Sequence, residues 1–150
     1  MKIVIIEKLI GSQIIDMLNL MKELAPDIEV TAKMIVRVVE SHDTHLFAAL
    51  DNEGHIIGCA SLCVFESPTG RKASVEDVVV SSSRRGQGLG KRLMEHLIDY
   101  ARENLGDIDL HLTSHPTRVA ANALYQLLGF EKRDTNFYRM KIRQAVETGV

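Results

Sequence analysis

Apolar residues change their spacing several times along the chain, and each change predicts a new element. Lys2–Glu7 is β-branched and apolar, which predicts a strand. Apolar residues then recur at helical spacing after Ser12, a candidate N-cap, until Pro26 forbids continuation of the helix. Thr31 is a candidate cap for a second, shorter helix. The chain is therefore expected to begin with a strand followed by two helices.

The middle of the chain has the pattern of an antiparallel meander. Thr44–Leu50 and His55–Phe65 are typical of strands, and the tight turn at 51–54 between them predicts a hairpin. A second turn at 67–70 leads into a third strand, Lys72–Ser81.

The remainder alternates between helical and strand spacing. Five further elements are predicted: a helix from Gly90 to Gly106, the strand Ile108–Thr113, a helix with Pro116 in its first turn that ends at Leu128 before Gly129, and two short strands, Phe130–Arg133 and Asn136–Ile142. The tail 143–150 is expected to fray. This order predicts an α/β fold with a mixed sheet, in which an antiparallel meander precedes a parallel β-α-β unit and helices cover both faces.

Composition narrows the class of protein. The 150 residues, 45% hydrophobic and 25% charged, predict one folded domain spanning 1–150, with its core at about 3–142. Eighteen Lys and Arg against twenty Asp and Glu leave the chain nearly neutral, which argues against a nucleic-acid partner.

No apolar run is long enough to span a membrane, and the first residues are charged too soon for a signal peptide, so a cytoplasmic location is expected. Cys59 and Cys63 are expected to be reduced core thiols.

One loop carries the strongest chemical signal. In the run Arg85-Gly86-Gln87-Gly88-Leu89-Gly90-Lys91, three glycines alternate with other residues between a strand and a helix. Glycines allow a ligand to approach the backbone closely, and the free N–H groups at a helix start favour an anion. The loop therefore predicts a site for a phosphate or pyrophosphate.

Two better-known phosphate motifs do not fit this loop. A nucleotide P-loop needs Ser or Thr after Gly-Lys, but Arg92 follows Gly90-Lys91. A dinucleotide fingerprint needs two residues between its second and third glycines, and only Leu89 separates Gly88 from Gly90.

The loop instead resembles the signature of the GCN5-related N-acetyltransferase (GNAT) family: Gln or Arg, two residues, Gly, one residue, then Gly or Ala. A second similar stretch is Ala121–Phe130, and the resemblance extends over about 3–142. It implies a GNAT-like acyl-CoA N-acyltransferase fold and acetyl-CoA as co-substrate, without a metal. It further implies that residues 85–91 hold the pyrophosphate and that the strand edge at Val78, Val79 and Val80 pairs with the pantetheine arm.

Residues of the second stretch have implied roles at the reacting sulfur. Tyr125 would protonate or hydrogen-bond the leaving thiolate. The family often has Asn seven residues before this tyrosine, where the side chain contacts the pantetheine, but this chain has Arg118 there. Asn122 is the preferred candidate for the contact and Arg118 is the alternative, and the choice between them is open.

The acceptor amine must lose a proton before or during transfer, because a lysine-like amine is mostly protonated at neutral pH. Glu76 is the candidate base, because strand alternation would put its side chain on the same face as Val78. Asp77 is the rival, and a structural role for the carboxylate is also open. His111 and His115 lack the spacing of a metal site and are expected to have supporting roles.

The predicted activity is direct transfer of an acetyl group from acetyl-CoA to a primary amine of a small molecule or peptide. Four acidic residues near the acceptor side mildly favour a basic amine: Asp27, Glu29, Glu40 and Asp43. A non-catalytic module that binds or senses acyl-CoA is the alternative. The identity of the acceptor and the oligomeric state, including a homodimer, are open.

Overall fold

A computed structural model of the protein describes residues 1–145. Its five-stranded sheet has the strands in chain order: β1 (Lys2–Ile5), β2 (Thr44–Leu50), β3 (Ile56–Ser67), β4 (Gly70–Val80) and β5 (Asp109–His111). The first four strands are antiparallel neighbours, and β5 is parallel to β4. The mixed sheet with its antiparallel meander is thus confirmed. The expected fraying of the tail at 146–150 concerns residues outside the described range.

Helices cover both faces of this sheet. They are α1 (Gly11–Leu24), α2 (Ala32–Glu40), α3 (Leu89–Asn104) and α4 (Val119–Leu127), with a 3-10 turn at Ser82–Arg84 before α3. The crossover β4-α3-β5 joins two parallel strands, as the β-α-β pattern predicted.

Two apolar clusters form the core, one on each face of the sheet. Leu93 and Met94 of α3 and Tyr125 of α4 pack on one face, and each is buried. Met17 of α1 and Ile35 of α2 pack on the other. Full burial of one such side chain stabilises the fold by about 1.5–3 kcal/mol. These clusters fix α1, α3 and α4 around the end of β4, where the candidate site lies.

The helix starts agree with the sequence pattern in one case and differ in two. Thr31 caps α2, and its Oγ1 accepts a hydrogen bond from the Met34 N–H at 3.3 Å. The prediction of Ser12 as a cap is wrong, because α1 begins at Gly11 and its N-cap residue is Ile10. Pro116 does not lie in the first turn of α4, since Arg118 is the residue before that helix.

The prediction of two strands at Phe130–Arg133 and Asn136–Ile142 is also wrong. Residues 130–145 contain neither helix nor strand, and the side chains of Phe137 and Tyr138 are 73% and 85% exposed. β propensity reports how well a residue suits a pleated surface, whereas a strand also needs a partner edge. Among the described residues this segment has no such partner.

Both cysteines are free, as expected. Cys59 is buried on β3, and burial raises the pKa of its thiol to about 12. Cys63 is half-buried, and burial also raises its pKa. Both thiols are therefore poor nucleophiles at neutral pH.

Candidate functional site

A groove of about 620 Å³ opens where the two parallel strands separate. β4 pairs with β5 only over Lys72–Ser74, so in the described part of the chain the later residues of β4 have no strand on that side. The groove lies between this free edge, the end of α1 and the start of α4, and its lining includes Glu23, Val78, Val79, Arg85, Thr117 and Arg118. The predicted cofactor strand and part of the predicted loop are thus brought together.

The glycine loop has the backbone conformation that its sequence suggested. Gly86 and Gly88 have φ angles of 79° and 74°, which L side chains rarely adopt. A Cβ at either position would meet nothing within 4 Å, so the loop is open to its surroundings. Gly88 precedes the first residue of α3, and the first helical hydrogen bond joins the Arg92 N–H to the Gly88 carbonyl.

The start of α3 can therefore receive an anion. The N–H groups of Leu89, Gly90 and Lys91 belong to the first turn of α3, whose donors have no intrahelical acceptor. Their alignment and the helix dipole favour a negatively charged group. An anion of this kind would require no displacement of a side chain at Gly88.

Two arginines flank the loop, and both are held by carboxylates from outside it. Arg85 Nη2 lies 3.6 Å from Glu23 Oε2, and Arg84 Nη2 lies 3.7 Å from Asp51 Oδ2. The two guanidinium groups are 61% and 43% exposed, so each ion pair contributes little to stability. The arginines can accordingly exchange these partners for a phosphate at small cost.

Glu23 was not identified from the sequence, although it organises the loop. Besides its contact with Arg85, its carboxylate accepts hydrogen bonds from the N–H of Ser82 at 3.0 Å and from the hydroxyl of Ser82 at 3.2 Å. The only sequence signal is an acidic residue in the last turn of α1. Its partner lies 59 positions away, a separation that local patterns do not reveal.

The free edge of β4 presents its backbone to the groove. The Val80 carbonyl accepts a hydrogen bond from Arg85 Nε at 3.2 Å, which ties the loop to the strand. Val78 packs toward the α3 and α4 face. An extended chain lying in the groove could pair with this edge as an added strand would.

A β-bulge interrupts β4 just before this edge. Glu76 pairs with Ser61 and Val79 pairs with Cys59, so two residues of β4 lie opposite one residue of β3. Asp77 is one of the two, and its φ of 52° is in the left-handed region. This is the only non-glycine residue with positive φ among those described.

The bulge reverses the alternation of side chains along β4. Before it, Val75 packs in the α3 and α4 cluster; after it, Val78 does so and Val79 packs in the α1 and α2 cluster. The prediction that Glu76 shares a face with Val78 is therefore wrong, because it assumed uninterrupted alternation. Glu76 lies on the α1 and α2 face of the sheet.

Two adjacent carboxylates thus lie at the bulge. Glu76 Oε1 accepts a hydrogen bond from the Ser74 hydroxyl at 2.5 Å. Burial raises the pKa of Asp77 above its ordinary value, and the neighbouring negative charge of Glu76 raises it further. Neither carboxylate forms a salt bridge within residues 1–145. A proton or a cationic group would relieve their repulsion.

Tyr125 is buried on α4, with 6% of its surface exposed. Its ring packs edge-on against Phe130 with the ring centres 6.1 Å apart. Burial raises the pKa of its hydroxyl, and the positive charge of Arg118 acts in the opposite direction. The ring of Tyr125 therefore packs in the core.

The structure distinguishes Arg118 from Asn122. The Asn122 side chain donates a hydrogen bond to the His115 carbonyl at 3.1 Å and so stabilises the start of α4. Arg118 instead lines the groove. His115 Nδ1 lies 2.7 Å from the Thr117 hydroxyl and accepts the Thr117 N–H at 3.2 Å. The side chain of His115 therefore stabilises the turn before α4.

The part of the chain that the structure describes contains neither a candidate metal site nor a helix that could span a membrane. No cluster of three or more His, Cys, Asp or Glu side chains suited to a metal occurs in 1–145. His111 packs edge-on against Phe65, with ring centres 5.9 Å apart. No described helix is both long enough and apolar enough to cross a membrane.

Comparison with known proteins gives consistent matches. A family model described as the acetyltransferase (GNAT) family matches residues 14–130. A streptothricin acetyltransferase of Streptomyces lavendulae is 34% identical over 93 residues, which are 61% of this chain and 47% of that protein. The N-acetyltransferase family 8 member 2 of Rattus norvegicus is 36% identical over 57% of this chain and 38% of its own length. The chain thus spans less than half the length of these relatives.

Solved structures share the fold. The glucosamine-6-phosphate N-acetyltransferase from Arabidopsis thaliana superposes with a TM-score of 0.72 at 23% sequence identity. The superposition covers 93% of this chain and 99% of that one.

Proposed function

This chain belongs to the acetyltransferase (GNAT) family, and from the site it carries we propose that it is an N-acetyltransferase that uses acetyl-CoA as acyl donor. The acceptor is a primary amine of a small molecule or peptide, and the acetyl group is transferred directly. One observation carries the proposal: the open glycine loop at the start of α3 adjoins the groove along the free edge of β4. We further propose that 1–150 is one acetyltransferase domain.

The residues present fit acetyl-CoA. Its pyrophosphate matches the N–H groups at the start of α3 and the exposed guanidinium of Arg85. We assign this contact to the segment from Arg85 to Lys91, which comprises the loop residues Gly86, Gln87 and Gly88 and the first residues of α3, Leu89 and Gly90. The amide groups of the pantetheine arm match the backbone of Val78, Val79 and Val80 on the side of β4 that faces away from β3. Arg118, which lines the groove, is a better candidate for a further contact than Asn122.

Acetyl-CoA supplies a thioester, whose carbonyl carbon is open to attack by an amine. Tyr125 holds a proton at its hydroxyl and is proposed to deliver it to the leaving group. The burial that raises the pKa of this hydroxyl keeps it protonated at neutral pH. The carboxylate pair Glu76 and Asp77 is proposed to take the proton of the amine, and Glu76 remains the first candidate for the base.

The acceptor is proposed to be a basic amine. Glu76 and Asp77 are adjacent in sequence at the bulge, and neither carboxylate forms a salt bridge in the described chain. An ammonium group would supply the missing positive charge. Acetylation would remove this charge, so the product would bind more weakly than the substrate. One relative is a streptothricin acetyltransferase, which adds streptothricin to the amines worth testing.

A panel of amines tests the proposal, with release of the free thiol of CoA as the readout. The panel comprises lysine, polyamines, amino sugars, streptothricin and peptides with free amino termini. We expect at least one amine to give turnover above the rate of acetyl-CoA hydrolysis without acceptor. Tight binding of acetyl-CoA with no turnover across the panel would instead favour the alternative, a non-catalytic acyl-CoA-binding module.

The pH dependence of kcat/KM separates the two carboxylates. The raised pKa of Asp77 means that it loses its proton at a higher pH than an ordinary carboxyl group with a pKa of about 3.9. If Asp77 is the base, activity falls as the pH drops through this raised value. Glu76→Gln then moves the acid limb to lower pH, because the neighbouring charge that raises the pKa of Asp77 is gone.

If Glu76 is the base, as we propose, Glu76→Gln removes the acid limb and Asp77→Asn retains it. Asn is a suitable control because it tolerates the left-handed conformation of position 77. The rate of Glu76→Gln is then expected to rise toward alkaline pH, as the amine loses its proton to water. Unchanged rates and profiles in both variants would give the pair a structural role.

A further inference from the structure

Glu23 is placed where its own helix does not stabilise its charge. It lies in the last turn of α1, and the partial negative charge at the end of a helix disfavours a carboxylate there. The side chain is 33% exposed and lines the groove together with Arg85. The contacts that hold this carboxylate are therefore tertiary contacts with the segment that leads into α3.

Two of these contacts anchor that segment. Glu23 Oε2 accepts the N–H of Ser82 at 3.0 Å, and Glu23 Oε1 accepts the Ser82 hydroxyl at 3.2 Å. Ser82 begins the 3-10 turn that precedes the glycine loop. Neither hydrogen bond requires a negative charge, because an amide oxygen can accept the N–H and an amide nitrogen can donate to the hydroxyl oxygen. Glutamine at position 23 could therefore provide the same anchor.

The third contact is the one that depends on the charge. Arg85 Nη2 lies 3.6 Å from Glu23 Oε2, while Nε of the same guanidinium donates to the Val80 carbonyl at 3.2 Å. The guanidinium is thus tied to the end of β4 on one side and meets a carboxylate on the other. Carboxylates and phosphates bind the same N–H donors of a guanidinium. Glu23 accordingly occupies a position on Arg85 that a phosphate group would take.

Resting on the proposed function, we propose that Glu23 is a positioning residue that competes with the pyrophosphate of the donor for Arg85 and so speeds the release of CoA. In the free protein, Glu23 neutralises Arg85 and holds its guanidinium at the groove. When the donor binds, the pyrophosphate takes the Nη groups of Arg85, and Glu23 keeps its hydrogen bonds to Ser82. After transfer, the nearby carboxylate repels the anionic product and favours its departure.

Glu23→Gln separates the charge from the anchor, and isothermal titration calorimetry with CoA measures the result. We expect the variant to bind CoA roughly three- to tenfold more tightly than the wild type, because the competing charge is gone. The gain should appear mainly as slower dissociation of CoA in a stopped-flow displacement experiment. It should shrink at about 1 M salt, which screens exposed charges. A purely structural role for Glu23 predicts the opposite sign, since loss of an anchor weakens binding.

Two variants are matched controls. Ser82→Ala removes one hydrogen bond to Glu23 but leaves its charge, so it should not tighten the binding of CoA. Glu66→Gln removes a carboxylate from a different ion pair, in which Arg71 Nε lies 2.6 Å from Glu66 Oε1. That pair lies beside the turn between β3 and β4, at the opposite end of β4 from Val80, and its loss should leave the affinity for CoA unchanged.

A double-mutant cycle shows whether Glu23 acts through Arg85. Arg85→Gln is expected to weaken the binding of CoA. In that background Glu23→Gln should give a gain of no more than about twofold, because the guanidinium for which Glu23 competes is gone. An undiminished gain would mean that Glu23 repels the phosphates directly, and it would overturn the inference.

Three further results would overturn the inference. They are unchanged or weaker binding of CoA by Glu23→Gln, a gain that persists undiminished at high salt, and loss of the native circular dichroism spectrum in this variant. The last result would show that the anchor to Ser82 itself requires the charge. Absence of CoA binding in the wild type would instead contradict the proposed function on which the inference rests.

Discussion

Gly88→Val is expected to weaken the binding of acetyl-CoA by at least about a hundredfold, which corresponds to roughly 3 kcal/mol. The φ of Gly88 is 74°, and valine in the left-handed region costs about 1–2 kcal/mol through strain. Its side chain would also occupy the open space before α3, where no protein atom lies within 4 Å. The N–H groups at the start of the helix would then lose their access to a phosphate. Isothermal titration calorimetry measures the effect directly.

Gly106→Val provides the matched control for this loss. Gly106 follows α3 at its other end and has a φ of 67°, and a Cβ added there would likewise meet nothing within 4 Å. Both variants should therefore carry similar strain and retain their circular dichroism spectra, while only Gly88→Val loses the ligand. Equal affinities in the two variants would contradict the assignment of the loop as the pyrophosphate site.

Tyr125→Phe is expected to lower kcat by roughly ten- to a thousandfold, the range typical of acid–base assistance. The substitution removes the hydroxyl but keeps the ring that packs against Phe130, so stability and the affinity for acetyl-CoA should change little. The loss should therefore appear in kcat and equally in kcat/KM. Steady-state kinetics with the identified amine, together with the thermal midpoint, separate a chemical role from a packing role.

Tyr100→Phe is the control for removal of a phenol hydroxyl elsewhere. Tyr100 lies on α3 and packs against the rings of His45 and Phe47. Its variant should retain the wild-type rate. A Tyr125→Phe variant with full activity would show that Tyr125 only packs in the core and that the leaving group is protonated by water.

Periodicity predicted the helices and the meander because those elements depend on local spacing. The apolar stripes that bury Met17 and Leu93 are visible in the sequence, and so is the cap at Thr31. The glycine loop was visible for a similar reason, since Gly86 and Gly88 are required by the backbone conformation itself. The sequence therefore located the loop and the junction at which it lies.

The remaining features depend on contacts between distant positions. The bulge at Asp77 arises from the register between β4 and β3, and simple alternation therefore placed Glu76 on the wrong face. Glu23 meets Ser82 only after the chain has folded. The residues Asn136–Ile142 have a high β propensity, but propensity does not specify a partner strand. Each discrepancy follows from tertiary pairing that a window of neighbouring residues does not contain.

The bulge in β4 affects which residues of the strand can be substituted during evolution. Ser74 and Glu76 precede it and face α1 and α2, whereas Val78 follows it and faces α3 and α4. Under the proposed function, the first group meets the amine and the second supports the acyl donor. Substitutions in the first group can therefore change the preferred amine during evolution, while the residues of β4 that support the acyl donor stay the same.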